Sequence, residues 1–159
     1  MNELLTDEEL WDELCEAQHV LDAARYRFFQ CAKNKILILR RTLQGADTRT
    51  ALEYLKWSVD DDIKKSLLPE LVQLASVAHG NLLLCREVVL GIQDRAWLIG
   101  HITPLVQEIL ADGGEENYRR VAELYAELDE ELFLQHLQRC QIHPDLDVRE
   151  IPIDFDEEE

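Results

Sequence analysis

Apolar positions recur in helical steps along nearly the whole chain. Leu10, Leu14, Ala17, Leu21, Ala24 and Phe28 follow one another at alternating intervals of four and three residues. At 3.6 residues per turn this spacing draws one continuous apolar stripe. The stripe carries on through Ala32, Ile36, Leu39 and Leu43 with a single four-residue stutter. At its start Thr6 and Glu9 have the spacing of a capping box, and Asp7, Glu8 and Glu9 sit where the helix dipole favours carboxylates. Lys33, Asn34 and Lys35 include no strong helix breaker. The pattern therefore predicts one long helix ending at Gly45, with a helix–turn–helix broken at Asn34 as the alternative. Arg40 and Arg41 suit the end of either.

Shorter helices follow. Thr48 is placed to cap one carrying Ala51, Leu52, Leu55 and Trp57. Asp60, Asp61 and Asp62 open the next, whose apolar face uses Leu67, Leu68, Leu71, Val72 and Ala75, with Pro69 bending it in the middle. His79 and Gly80 end it, the glycine being free to take positive φ, and Asn81 caps a short apolar helix to Ile92. Asp94 caps a helix with Trp97, Leu98, Ile102, Leu105, Val106, Ile109 and Leu110, bent at Pro104. A turn at Asp112, Gly113 and Gly114 leads to Tyr118, Val121, Leu124, Tyr125 and Leu128. Asp129 caps a helix with Leu132, Phe133, Leu137 and Cys140, which His143 and Pro144 stop. A last short helix starts at Asp145 and ends at Pro152, and residues 154–159 read as an acidic tail with no reason to fold.

Within residues 62–151 the pattern repeats. Pro69 and Pro104 are 35 positions apart, while Gly80 to Gly113 and Arg86 to Arg119 are each 33 apart. A period in the thirties with two helices per unit belongs to stacked helical hairpins, because one hairpin cannot bury its own apolar face. The first-helix prolines are followed by Leu71 and Val72 in one unit and by Leu105 and Val106 in the other. A second helix opens on Val148 and Arg149. In these features the stretch resembles HEAT-like repeats. The resemblance implies an α-solenoid, a shape used for binding. The units differ by two residues in internal spacing, and the N-terminal helix fits no such unit. The expected fold is thus all-α: one domain over residues 1–153, with N-terminal helices at 1–58, helical-hairpin repeats at 62–151, and the tail beyond. An irregular helical bundle is the alternative.

Composition agrees with a folded chain. Of 159 residues, 47% are hydrophobic and 31% charged, enough of each for a core and a solvated surface. The net charge of −17 makes the surface anionic, which disfavours nucleic acid and anionic membrane as direct ligands and favours a basic partner. Cys15, Cys31, Cys85 and Cys140 are widely spaced and predicted to be buried free thiols. No basic leader and no long apolar run is visible, so a cytoplasmic protein that does not cross a membrane is expected.

Candidates for chemistry are few. Cys15 and His19, and separately His136, Cys140 and His143, have helical spacings that zinc ligands also use. No Cys-x-x-Cys accompanies them, and Cys140 continues the apolar register of Leu137. A core thiol and hydrogen-bonded histidines account for them. The single Glu16-to-His19 motif falls short of the two that di-iron bundles use. Ser58, Ser66 and Ser76 lack a glycine-flanked elbow. Gly113 and Gly114 precede Glu115 and Glu116, which would repel phosphate. No catalytic residue, cofactor or metal is expected.

Binding remains. Trp57 beside Asp60 and Asp61, and Tyr118 beside Glu115 and Glu116, each combine an aromatic with carboxylates, a chemistry suited to a basic protein partner's arginines, and Trp97 is a further large anchor at the core or its edge. The same tryptophans also suit the core. The expected function is non-enzymatic: an acidic helical-repeat protein acting as an inhibitor, an immunity-type protein or an adaptor. A nucleic-acid mimic is the alternative, requiring carboxylates in rows at phosphate-like spacing.

Overall fold

The stripe that begins at Leu10 does not run unbroken to Gly45. In a computed structural model describing residues 5–156, α1 (Asp7–Cys31) ends as Ala32 turns extended, and α2 (Lys35–Leu43) starts after Asn34. The helix–turn–helix alternative is the one that forms. Three successive polar residues have no core to reach, and asparagine's amide competes with the backbone for hydrogen bonds. The capping box is present: the Glu9 amide donates to Thr6 Oγ1 at 3.2 Å and the Thr6 amide to Glu9 Oε2 at 2.8 Å.

Eight helices follow among the described residues. α3 (Thr48–Trp57) has Asp47, not Thr48, at its N-cap, and the Thr48 hydroxyl instead donates to the Gly45 carbonyl at 2.8 Å. α4 (Asp61–Ser66) is capped by the Asp60 carboxylate, which accepts from the amides of Asp62 and Ile63. Pro69 does not bend a helix from within. The chain breaks at Leu67, and Pro69 stands in the first turn of α5 (Leu68–Ala75), where its missing N–H leaves no bond unmade. α6 (Leu82–Leu90) starts after Asn81, whose side chain makes no cap bond. Here His79 supplies the order: its Nδ1 accepts from the Asn81 amide and its Nε2 lies 2.9 Å from the Leu74 carbonyl.

α7 (Arg95–Ala111), capped by Asp94, runs on through Pro104. α8 (Glu115–Leu128) and α9 (Glu130–Gln141) follow, the latter capped by Asp129. α10 (Leu146–Asp156) is not ended by Pro152. The proline is buried beside Val148 and Ile151, and this packing carries the helix on to Asp156. Residues 154–156 are therefore helix and not tail, while residues 157–159 lie outside the described part.

Among the described residues the fold is all-helical, and its core is assembled by neighbour contacts. α2 packs on α3, α3 on α6, α6 on α8, and α8 on α10. Along the other row α2 touches α4 and α5, and α5 touches α7. Leu52, Leu55, Leu67, Leu68, Leu71, Ile92, Leu98, Ile102, Leu124 and Ile151 are fully buried in one continuous cluster. Each such side chain contributes about 1.5–3 kcal/mol relative to exposure. α1 contrasts sharply, with none of its residues buried. It meets the body near its C-terminal end, where Phe28 stands edge-on to Tyr54 at 5.0 Å and Phe29 to Trp57 at 6.3 Å.

No residue among those described takes positive φ, so Gly80 does not use the freedom expected of it. Gly113 is needed for room: a Cβ there would lie 2.9 Å from the Ile109 carbonyl oxygen and 3.1 Å from Asn117 Cβ.

Candidate protein-interaction surface

The predicted binding residues fall into three places, and most already have work inside the fold. Asp60 caps α4, as above. Asp61 accepts from the amides of Gln93 and Asp94 at 3.0–3.3 Å, fastening the start of α7 to α4. Lys65 Nζ pairs with Asp94 at 3.1 Å and sits 5.1 Å above the ring of Trp97, which also stacks on His101. Asp61 and Trp97 thus belong to one patch whose cation site is already filled by the protein's own lysine. The carboxyl of Asp94 is held below the usual range by the Trp97 amide and then by Lys65.

Trp57 stands apart, 38% exposed beside Phe29 and Tyr54 at the foot of α1. Glu115 and Glu116 lie at the start of α8. Glu115 is paired with Arg119 in the next turn, and the Glu116 carboxylate accepts from the Ala78 amide at 2.9 Å, tying α8 to the turn after α5. Tyr118 is not at the surface. It is buried, with its hydroxyl donating to the Leu110 carbonyl, because position 118 falls on the core side of α8 with Val121 and Tyr125.

The cysteine and histidine positions resolve similarly. Cys85 and Cys140 are buried and burial pushes their thiols up, to about 12 and about 11, whereas Cys31 is exposed and Cys15 half-buried. His136 is buried, its Nε2 lies 2.8 Å from the Tyr118 carbonyl and 3.7 Å from Cys140 Sγ, and burial holds its pKa below the ordinary value. With Thr103, Tyr125 and Arg139 it borders a cleft of about 70 Å³, room for little more than water. Among the described residues no group of three or more histidine, cysteine or carboxylate side chains is placed to hold a metal, and no helix is long and apolar enough to cross a membrane.

Charge is the informative property, and its distribution is uneven. Residues 58–159 hold 23 of the 33 acidic residues and eight of the 16 basic ones. Of those eight, Lys65, Arg86, Arg119 and Arg120 are engaged in ion pairs with Asp94, Glu123, Glu115 and Asp154, and Lys64 is buried. Half of the body's cations are thus paired within it, and Arg95, Arg139 and Arg149 are exposed. Carboxylates such as Glu108, Asp112, Glu127, Glu130, Asp145 and Glu150 remain to face solvent or a partner, in side chains or residues only partly covered or exposed. Residues 17–57 are the reverse, with eight basic against three acidic residues.

One further surface lies on the long first helix, whose stripe also allows pairing with a copy of itself. α1 exposes Leu10, Trp11, Leu14, Val20 and Leu21, with Trp11 at 64% and Leu14 at 59%. Beside it lies an apolar groove of about 420 Å³, walled by Leu21, Ala24 and Phe28 on one side and by Ile38, Ala51 and Tyr54 on the other. The change from acidic to basic along α1 is a further signal of it in the sequence. In comparisons with known proteins the chain matches no family model, no curated protein and no solved structure, so its functional reading rests on these residues.

Proposed function

We propose that the chain is a non-catalytic, helical-repeat binding protein whose acidic body engages a basic protein partner, in the manner of an inhibitor, immunity-type protein or adaptor. The observation that carries this reading is the outward charge of the body. Four of its eight basic residues pair with its own carboxylates and Lys64 is buried, while most of the carboxylates among the described residues make no ion pair. A concave or flat surface of one sign attracts and orients an oppositely charged partner, raising association rates more than it raises affinity.

The HEAT-like stacking proposed from the sequence has support in the contact order of the helices. α6, α8 and α10 follow one another in one row, and arginine bridges run along it: Arg86 of α6 pairs with Glu123 of α8, and Arg119 of α8 with Asp154 of α10. Arg86 and Arg119 are the two residues 33 positions apart in the sequence. We extend the repeat array to the N-terminal side, with α2 and α3 as its first hairpin, since α3 continues the α6 row and α2 the α5 row.

Affinity capture with the intact chain from its native host, followed by identification of what is retained, tests the reading. The expected result is a protein with a basic surface whose retention falls at least tenfold when Glu127, Glu130 and Glu131 are changed to lysine, and falls again with added salt. Retention indifferent to both changes overturns it. Displacement of the partner by duplex DNA would show instead that the carboxylates mimic nucleic acid.

A further inference from the structure

Apart from Phe28, which packs on Tyr54, the exposed face of α1 has no role in the body, yet it is built to a regular plan. Leu10, Leu14, Ala17, Leu21, Ala24 and Phe28 keep the four–three spacing of a coiled-coil seam, and over 25 residues none is buried. An amphipathic helix left in water with such a stripe is an unmatched interface.

We propose that this face pairs antiparallel with the same helix of a second copy, making the protein a symmetric dimer. Charge selects both the occupant and the orientation. The first part of α1 carries Asp7, Glu8, Glu9, Asp12, Glu13 and Glu16 and no basic residue, whereas its last part and the groove beside it carry Arg25, Arg27 and Arg49 against Asp22 and Glu53, which lie 3.8 Å from Arg25 and Arg49. A parallel pair would set acidic ends together and bring two strongly acidic bodies to one end. An antiparallel pair sets each acidic end against the other copy's arginines and holds the bodies at opposite ends.

The register is self-complementary, as a two-fold interface demands. With the axis near His19, Leu10 faces the partner's Phe28, Leu14 faces the partner's Ala24, and Ala17 faces the partner's Leu21. In an antiparallel coiled coil the residues flanking the seam then bring Glu13 beside the partner's Arg27 and Trp11 over the partner's Arg25. The small residues lie opposite large ones in two of the three layers. The same alignment lays the segment from Leu10 to Ala17 along the groove, where Ile38, Ala51 and Tyr54 form a second apolar wall. Each end of the dimer is thereby covered by three helices and not two. This surface is distinct from the acidic body proposed to bind the partner.

Sedimentation of the full chain at concentrations from about 1 to 100 µM tests this directly, within the usual range of specific association. The expected mass is twice 18.5 kDa. Leu14→Asp and Leu21→Asp each place a charge in the seam, and the dissociation constant rises at least roughly a hundredfold. Circular dichroism keeps this readable: both positions are exposed in the single chain, so helicity and the melt of the monomeric body stay as in the parent. Glu13→Arg or Arg27→Glu alone weakens the dimer about tenfold, and the two together restore it. A parent chain that sediments as a monomer throughout this range overturns the proposal, leaving the face to a different partner. A dimer unaffected by Leu14→Asp and Leu21→Asp overturns it equally.

Discussion

α1 and the pair α7–α8 begin from the same kind of pattern and meet opposite ends. Both have apolar residues at three- and four-residue steps, and α1 is the longer and the better capped. Yet Leu98, Ile102, Val106 and Leu110 of α7 and Val121, Leu124 and Tyr125 of α8 are buried, while α1 has only Phe28 and Phe29 partly covered by the core. The difference comes from the connections. Short turns fold α7 and α8 back on each other and onto α5 and α6, so each stripe finds a neighbour. α1 projects from the array, joined to it chiefly through Phe28 and Phe29. A stripe states that a helix needs a cover, not where the cover comes from.

The largest expected effect separates these two regions. Leu98→Ala or Leu124→Ala removes a fully buried side chain and costs about 2–5 kcal/mol by urea denaturation. Leu10→Ala in dilute, monomeric protein stays within about 0.5 kcal/mol of the parent, as surface changes do. Equal losses at the two sites would mean that α1 is held against the body. Next comes the ion pair between α6 and α8. Glu123→Gln leaves the Arg86 guanidinium, 8% exposed, without its carboxylate and costs about 2–3 kcal/mol. Arg49→Gln breaks the solvent-exposed pair with Glu53 and costs less than about 1 kcal/mol. A smaller contrast lies within the array, between its two glycine turns. Gly113→Ala forces a Cβ against the Ile109 carbonyl and lowers stability by about 1–2 kcal/mol, while Gly80→Ala meets nothing within 4 Å and is neutral or raises stability by about 0.4–1 kcal/mol.

The smallest effect is a pH dependence. Burial lowers the pKa of His136 below 6.5, so the unfolded chain binds the proton more readily than the folded one. The stability that the neutral ring supports is full above about pH 6.5 and declines as the pH falls from there through the folded value. Protonation of the many surface carboxylates at lower pH relieves repulsion and acts in the opposite direction, so the readout is a difference. The parent loses more stability than His136→Gln between about pH 7.5 and 5.5. Parallel pH profiles for the two proteins would show that the histidine is not buried neutral.

Much of the fold was legible because it is local. The capping box at Thr6 and Glu9 and the carboxylate caps at Asp60, Asp94 and Asp129 form as their positions implied. These bonds span three residues or fewer and need no tertiary partner. Proline was read less well. Pro69 starts a helix and Pro152 lies within one, because its effect depends on whether the bond it cannot donate is wanted at that turn and on what packs over its ring. Of the candidate binding residues, Tyr118 faces inward. Asp61 and Glu116 bind backbone amides of sequence-distant turns, and Trp97 is already stacked by Lys65. Those assignments depend on which turn lies opposite, a relation between segments 30 or more positions apart that no local pattern contains.

By itself the sequence determined the helical class, most helix starts, the buried stripes of the later helices and the excess of negative charge. Each follows from backbone hydrogen bonding, periodicity or composition, which are properties of neighbours along the chain. Tertiary structure alone decided which stripe would be covered, which cations would be consumed in pairing inward, and that the most regular stripe of all would be left facing water. Burial is settled between segments: a helix face is core only when the connections of the chain deliver another face to meet it.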